Sequence, residues 1–310
     1  TYEGFLENHR RHYRPDNAYI ILYGNLDADR FLGFLDERYL APLAAKERGP
    51  LDINPLGLQA PVAPEPVVVP MATAPENACA AVGFVIGRAA ERERIVAADI
   101  LMDAIMGANE SPLKRALLDA GIADDAIGYV ADSVAQPFAV VSLRGARPGA
   151  ADALRAIVEA EARRLAEGGL DHELVRAALS HAEFVMRERN FGYPDGVVLA
   201  MSAMAGWLYS DDDPAAYLRF EDVFASLREK VEEGYFEALL RELFLDNDHR
   251  ACAEVVPTES DEAAEEAEAA GEREAAAALT EDEAASIREA VRALLEAQEA
   301  PDAPEALAKL

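Results

Sequence analysis

The chain has 310 residues, with 29 Lys plus Arg against 58 Asp plus Glu, a formal charge of −29 with histidine neutral. That balance excludes unspecific nucleic-acid or anionic-membrane binding, which rests on clustered cations. Hydrophobic residues at 51% and aromatics at 7% nevertheless place the chain with ordered globular proteins, since disorder needs low hydrophobicity as well as charge.

Tyr2–Tyr13 reads as a helix capped by Thr1, ending in basic His9, Arg10, Arg11 and His12 and stopped by Pro15. The apolar run Ala18–Tyr23, closed by Gly24-Asn25, reads as a buried strand. A helix then starts at Asp27 or Asp29 and carries Phe31, Leu32, Phe34, Leu35 and Tyr39. Such a helix–strand–helix piece cannot bury both faces of its strand alone. Seven prolines between Ala41 and Pro75 mark an extended linker, placed at 49–64, that ends in an edge strand near Val67–Val69.

Ala78–Ile86 is expected to be a core strand, followed by a helix over Ala90–Met106 with apolar residues every three to four positions. Ser111-Pro112 opens a short helix that Gly121 ends, and Ile127–Asp132 with Phe138–Arg144 form a hairpin. From Pro148 to about Leu245 the pattern is helical, and Arg250–Val256 closes as a strand. Strands before, between and after groups of helices, without βαβ alternation, predict an α+β fold whose antiparallel sheet is covered by helices. Gly196–Tyr209 is too short for a membrane span and reads as a buried helix, with Trp207 in the core.

Residues 257–310 hold 16 acids, four bases and no aromatic side chain. Thr258-Glu259-Ser260-Asp261 and Thr280-Glu281-Asp282-Glu283 have capping-box spacing, with Gly271 between them. The expectation is an acidic helical hairpin that is the least stable element of the chain, because its apolar stripe is narrow and its acids repel.

Candidate chemistry is sparse. His9 and His12 share a helix face, but Arg10 and Arg11 lie between them, and a basic patch is the simpler account. His172-Glu173 fits a helix start, and His181 and Glu183 fall on different faces. Asp211-Asp212-Asp213 precedes Pro214, where helix capping competes with calcium binding. HExxH, HxxEH, GxSxG, the P-loop and GxGxxG are all missing from the sequence, so no catalytic and no metal-ligating residue is assigned. Cys79 and Cys252 stand alone in apolar stretches, which suits reduced thiols in a cytoplasmic setting. The abrupt turn at Arg187, Arg189 and Asn190 leaves open a solvated turn or a peptide contact; these three are the substrate-contact candidates.

Several strings together resemble one family. Tyr13-Arg14-Pro15-Asp16-Asn17 and Tyr23-Gly24-Asn25-Leu26-Asp27 are similar to the end of the catalytic unit in insulinase- and pitrilysin-type zinc metallopeptidases. Ser111–Gly121, Arg187–Gly192, Gly206–Pro214 and Glu299–Leu307 resemble, in the same order, the presequence-protease branch. The resemblance implies four α+β units in two halves that close around a chamber where unfolded peptides are cut. Residues 1–48 would finish the catalytic unit, 65–256 form the second, non-catalytic unit, and 257–310 the connecting hairpin. The HxxEH zinc ligands would lie in a missing N-terminal catalytic unit, and a C-terminal half would follow. Those parts of the parent and peptide substrates are the implied partners, with no nucleic acid and no membrane. Zinc is implied for the parent and no cofactor for this segment. The four lysines against 25 arginines suit a bacterial source. Two other readings stay open: a catalytically inactive structural relative acting as a scaffold, and an acidic peptide-binding module.

Overall fold

The structure, a computed structural model, describes residues 1–44, 57–189, 192–210, 213–260 and 262–302. It divides into two compact units, residues 1–70 with 75–256 and residues 71–74 with 257–310.

The first unit opens with α1 (Tyr2–His12), where the Thr1 hydroxyl accepts from the Gly4 N–H at 3.1 Å, and α2 (Ala28–Leu35), capped in the same way by Asp27. A π-helical turn, Asp36–Leu40, leads into the short α3 (Ala41–Ala44). The expected strand Ala18–Tyr23 does not form. Its backbone is extended at Ala18 (φ −134°, ψ 132°), yet its residues lie in no strand, and Tyr19, Ile20, Ile21, Leu22 and Tyr23 are exposed. A β-prone sequence becomes a strand only beside another strand, and none among the described residues pairs with this one.

The sheet comprises β1 (Val67–Ala72), β2 (Cys79–Val85), β3 (Asp125–Ala131), β4 (Phe138–Arg144) and β5 (Arg250–Thr258), in the order β1-β5-β2-β4-β3. β2 runs antiparallel to β4 (Val82 opposite Val141) and to β5 (Val82 opposite Cys252), and β3 antiparallel to β4. Its alternation buries Ala80, Val82 and Phe84 and leaves the intervening residues half-buried, the period-two signature of a sheet covered on one face. β1 is an exposed edge, as its prolines led us to expect.

Helices α4 (Arg92–Met106), α5 (Pro112–Asp119), α6 (Ala150–Gly168), α7 (His172–Glu188), α8 (Asp195–Trp207), α9 (Glu221–Lys230) and α10 (Tyr235–Phe244) complete the unit. α6 and α10 pack on β2, and α4 on β3 and β4. Nine of the 15 residues of α4 are buried, and Phe244 meets Phe84 edge-on at 5.0 Å. Buried Glu254 of β5 fixes the start of α6: its two oxygens accept from the Gly149 N–H (2.7 Å) and the Ala151 N–H (3.1 Å). A carboxylate satisfies the orphan donors and positive end of a helix, so one buried charge ties the last strand to the helix layer.

α8 departs from expectation. Only Ala203 and Ala205 are buried, Val197, Met201 and Leu208 are exposed, and Trp207 is half-buried with its ring edge-on to Tyr19 at 4.6 Å. The apolar period is correct for a helix, but it runs all round the cylinder, and the unit supplies apolar partners on one side only.

In the second unit, α11 (Glu262–Ala278) and α12 (Glu281–Glu299) are separated by Leu279-Thr280. The Thr280–Glu283 capping box is present in full. The other expected box is not: Thr258 ends β5, and Asp261 lies outside the described residues. Nor does Gly271 divide two helices, since α11 runs through it; a single glycine costs a helix about 1 kcal/mol against alanine, and strong helix formers flank it.

Candidate functional site

A cavity of about 580 Å³ opens in the first unit where α4, β3, α7, α8 and the 217–224 segment meet. Its walls are mainly apolar, with Val96 from α4, Val130 from β3, Val185 and Met186 from α7, and Phe220 and Phe224 closing one side. Gly128 permits the close approach of β3 to α4, because a Cβ there would lie 2.6 Å from Met102 Cε and 2.8 Å from Met106 Cβ.

Three carboxylates face this space: Asp99 and Asp103, one turn apart on α4, and Asp132 just after β3. Asp99 lines the cavity and, like Asp103 and Asp132, is exposed to solvent. Desolvation, followed by repulsion from Asp132 and Asp103, pushes its carboxyl up to about 6. Among the described residues Asp99 makes no hydrogen bond or ion pair, while Asp103 has only His181 Nδ1, at 3.9 Å.

The opposite charge sits apart, at the mouth. Arg92 lies over the Tyr217 ring at 5.6 Å, and burial lowers its pKa. The Tyr217 hydroxyl donates to the Ala89 carbonyl at 2.5 Å, and burial with the Asp132 charge pushes it up to about 12. Tyr217 can lie against α8 because position 206 is glycine, where a Cβ would be 2.6 Å from the ring.

Of the substrate-contact candidates from the sequence, Arg187 reaches a residue that lines this cavity. Arg187 donates from Nε and Nη2 to Glu183 Oε1 (2.9 and 2.7 Å) and sits 5.5 Å over the Phe220 ring that lines the cavity. Glu183 also accepts from Arg228, and the Arg187 hydrogen bond, first among these contacts, lowers its pKa. Arg189 caps α7 at φ +52°, the left-handed region that favours glycine, and its Nη1 is 3.7 Å from Asp195 Oδ2. Asn190 lies outside the described residues. The structure thus joins Arg187 to the cavity wall and leaves Arg189 exposed on the turn. Sequence reasoning missed Asp99 and Asp103. The available signal was a pair of like charges at i and i+4 beyond the Arg92-Glu93-Arg94 start of α4, an unfavourable spacing.

The histidines serve other ends. His9 stacks on Tyr13 at 4.5 Å. Asp171 caps α7 by accepting from the Glu173 N–H, and His172 Nε2 lies 3.0 Å from Glu237 Oε1. Asp213 Oδ1 accepts from the Ala215 N–H, a turn contact rather than the expected helix cap, since the next helical turn, Ala216–Leu218, has Ala215 at its N-cap without a side-chain hydrogen bond; Asp211 and Asp212 lie outside the described residues. Cys79 and Cys252 are free thiols. Among the described residues no group of three or more His, Cys, Asp or Glu side chains could hold a metal ion. The donor set therefore does not fit a peptidase zinc site, which needs three protein ligands.

Residues 1–181 match the model of the family described as peptidase M16 inactive domain. The chain belongs to this family. The M16 inactive domain is also 31% identical over 261 residues to protein HypA of Clostridium perfringens, covering 83% of the chain and 27% of that protein. It is 29% identical over 322 residues to presequence protease 1, chloroplastic/mitochondrial, of Arabidopsis thaliana, covering 99% of the chain and 29% of that protein. Among solved structures, a protease from Helicobacter pylori shares the fold, with a TM-score of 0.63 at 17% identity over 83% of the chain and 59% of that chain. The chain thus spans under a third of the length of the curated relatives it matches, and its α+β sheet-and-helix architecture is that of the insulinase-type metallopeptidases.

Proposed function

We propose that this chain is the non-catalytic part of a zinc-dependent endopeptidase that degrades unfolded peptides in a closed chamber, with 65–256 as a wall of that chamber and 257–310 as the helical connection to a further half. The observation that supports this reading is the alignment of 99% of the chain with part of a presequence protease. In such a protein the zinc and its HxxEH helix belong to a partner catalytic unit. This chain's contribution is to bind and confine peptide, through the cavity and the turn at Arg187, Arg189 and Asn190. Two free cysteines are in keeping with a cytoplasmic location in a bacterium. Among the described residues, no helix is long and apolar enough to cross a membrane.

The test is to purify the whole parent protein and the 310-residue chain in parallel, and to measure zinc content and cleavage of an unstructured peptide. The expected result is zinc and cleavage in the parent only, with cleavage lost when the HxxEH glutamate becomes glutamine. Stoichiometric zinc and cleavage in the 310-residue chain would overturn the reading. A parent without an intact HxxEH would replace it by the scaffold alternative.

A further inference from the structure

We propose that the cavity between α4, β3 and α7 is a side-chain pocket for a cationic residue of an extended peptide, its stem against Val96, Val185 and Met186 and its charged head among Asp99, Asp103 and Asp132. This deepens the reading of the unit as a peptide-contacting wall and rests on it.

Shape and charge point to the same occupant. A volume of about 580 Å³ exceeds what a buried water or two needs, and mainly apolar walls reject a small hydrated ion. Carboxylates beside apolar walls in turn disfavour an aliphatic or anionic side chain, which would cover them without pairing them. Lysine and arginine alone combine an apolar stem with a charged head. Arginine adds a planar group that aromatic faces accept, and two of the rings lining this site already carry guanidinium groups, Arg92 over Tyr217 and Arg187 over Phe220. Asp99 has no partner of its own among the described residues, so an incoming cation finds a carboxylate not already committed.

The charged and titratable groups lining the cavity with Asp99 are Asp103 and Arg92 of α4, Tyr129 of β3, Asp132 just after it, His181 of α7, and Tyr217. Asp99 is the one among them whose pKa is pushed to about 6. Preference for a cation therefore falls as pH drops through that value.

The experiment measures fluorescence anisotropy of the 310-residue chain with two blocked, labelled peptides that are identical except that one central arginine is citrulline, its neutral near-isostere. The expected preference for arginine is about tenfold at low salt, the scale of one charge-assisted hydrogen bond. It should vanish in Asp99→Asn, whose melting curve reports folding, while Ala182→Phe, which fills the cavity, weakens both peptides. Asp119→Asn removes the same charge from the far end of α5 and should keep the preference. Equal binding of the two peptides by the unaltered chain overturns the proposal. So does a preference that survives Asp99→Asn, or one that Asp119→Asn removes equally, which would assign it to the general field of the acidic chain. None of these readings requires zinc or cleavage, so failure here with an active parent refutes the pocket and leaves the chamber reading standing.

Discussion

Helices α4 and α12 are of similar length, 15 and 19 residues, and are held by different means. Nine residues of α4 are buried and its cap has no side-chain hydrogen bond. α12 has no buried residue, and Ile287, Val291, Leu294 and Leu295 on its apolar stripe are about half exposed. It relies instead on a complete capping box and on exposed pairs such as Arg292 with Glu289 (2.6 Å). Local signals of this kind are worth tenths of a kcal/mol to about 1 kcal/mol each, whereas packing supplies most helix stability in folded proteins. A helix can therefore be well specified by its sequence and still be weakly held.

The sharpest way to break the comparison is to truncate a leucine on each helix. Leu101→Ala should cost about 2–5 kcal/mol of unfolding free energy, as for other fully buried leucines, and Leu294→Ala no more than about 0.5 kcal/mol; chemical denaturation compares them directly. Equal costs would mean that α12 is covered in solution. Next in size is Gly128→Val, where the new side chain collides with Met102 and Met106 and overpacking should cost about 1–3 kcal/mol, read from the same curves. Thr280→Ala should remove about 1 kcal/mol from α12 alone. Hydrogen exchange should then accelerate over residues 281–299 and stay unchanged in β2 and β4; before any substitution, α11 and α12 should already exchange faster than those strands.

The smallest effect concerns pH. The Glu237 hydrogen bond, with help from Glu232, raises the His172 pKa above its ordinary 6.5. A raised histidine adds stability that is complete below the unfolded value and lost as pH climbs through the folded one. Asp99, also raised, costs stability progressively as pH rises from its ordinary 3.8 to about 6, and no further above that. Stability should therefore decline gently between pH 3.8 and about 6 through Asp99, and again above pH 6.5 through His172. His172→Gln and Asp99→Asn should each flatten part of that slope in thermal melts across the range.

How much of this was legible in the sequence depended on whether the partner of each residue lay nearby. The β3–β4 hairpin, the cap at Thr1, the Thr280 box and the extent of β2 are written in residues a few positions apart, and each was read correctly to within about two residues. Ala18–Tyr23 and Trp207 were misjudged for one reason: an apolar pattern states what a segment is able to bury, and the covering surface has to come from elsewhere. The family resemblance was legible because it used order along the chain rather than any single motif. The cavity was not, since Asp99, Asp132 and Phe220 are brought together only by tertiary packing, and the apolar spacing of α4 does not say what its two aspartates will face.

The run Ala18–Tyr23 has a practical consequence. Among the described residues its backbone amides and carbonyls make no hydrogen bond, and its side chains are tyrosine, isoleucine and leucine without a charge. An extended, uncharged, proline-free segment with free main-chain groups is a template for the same segment of another molecule. Preparations of the 310-residue chain should thus lose monodispersity as they are concentrated, and Ile21→Lys, which sets a charge in the middle of the template, should restore a single light-scattering species without lowering the melting temperature. That gives the laboratory a handle on sample behaviour from six residues that contribute nothing to the core.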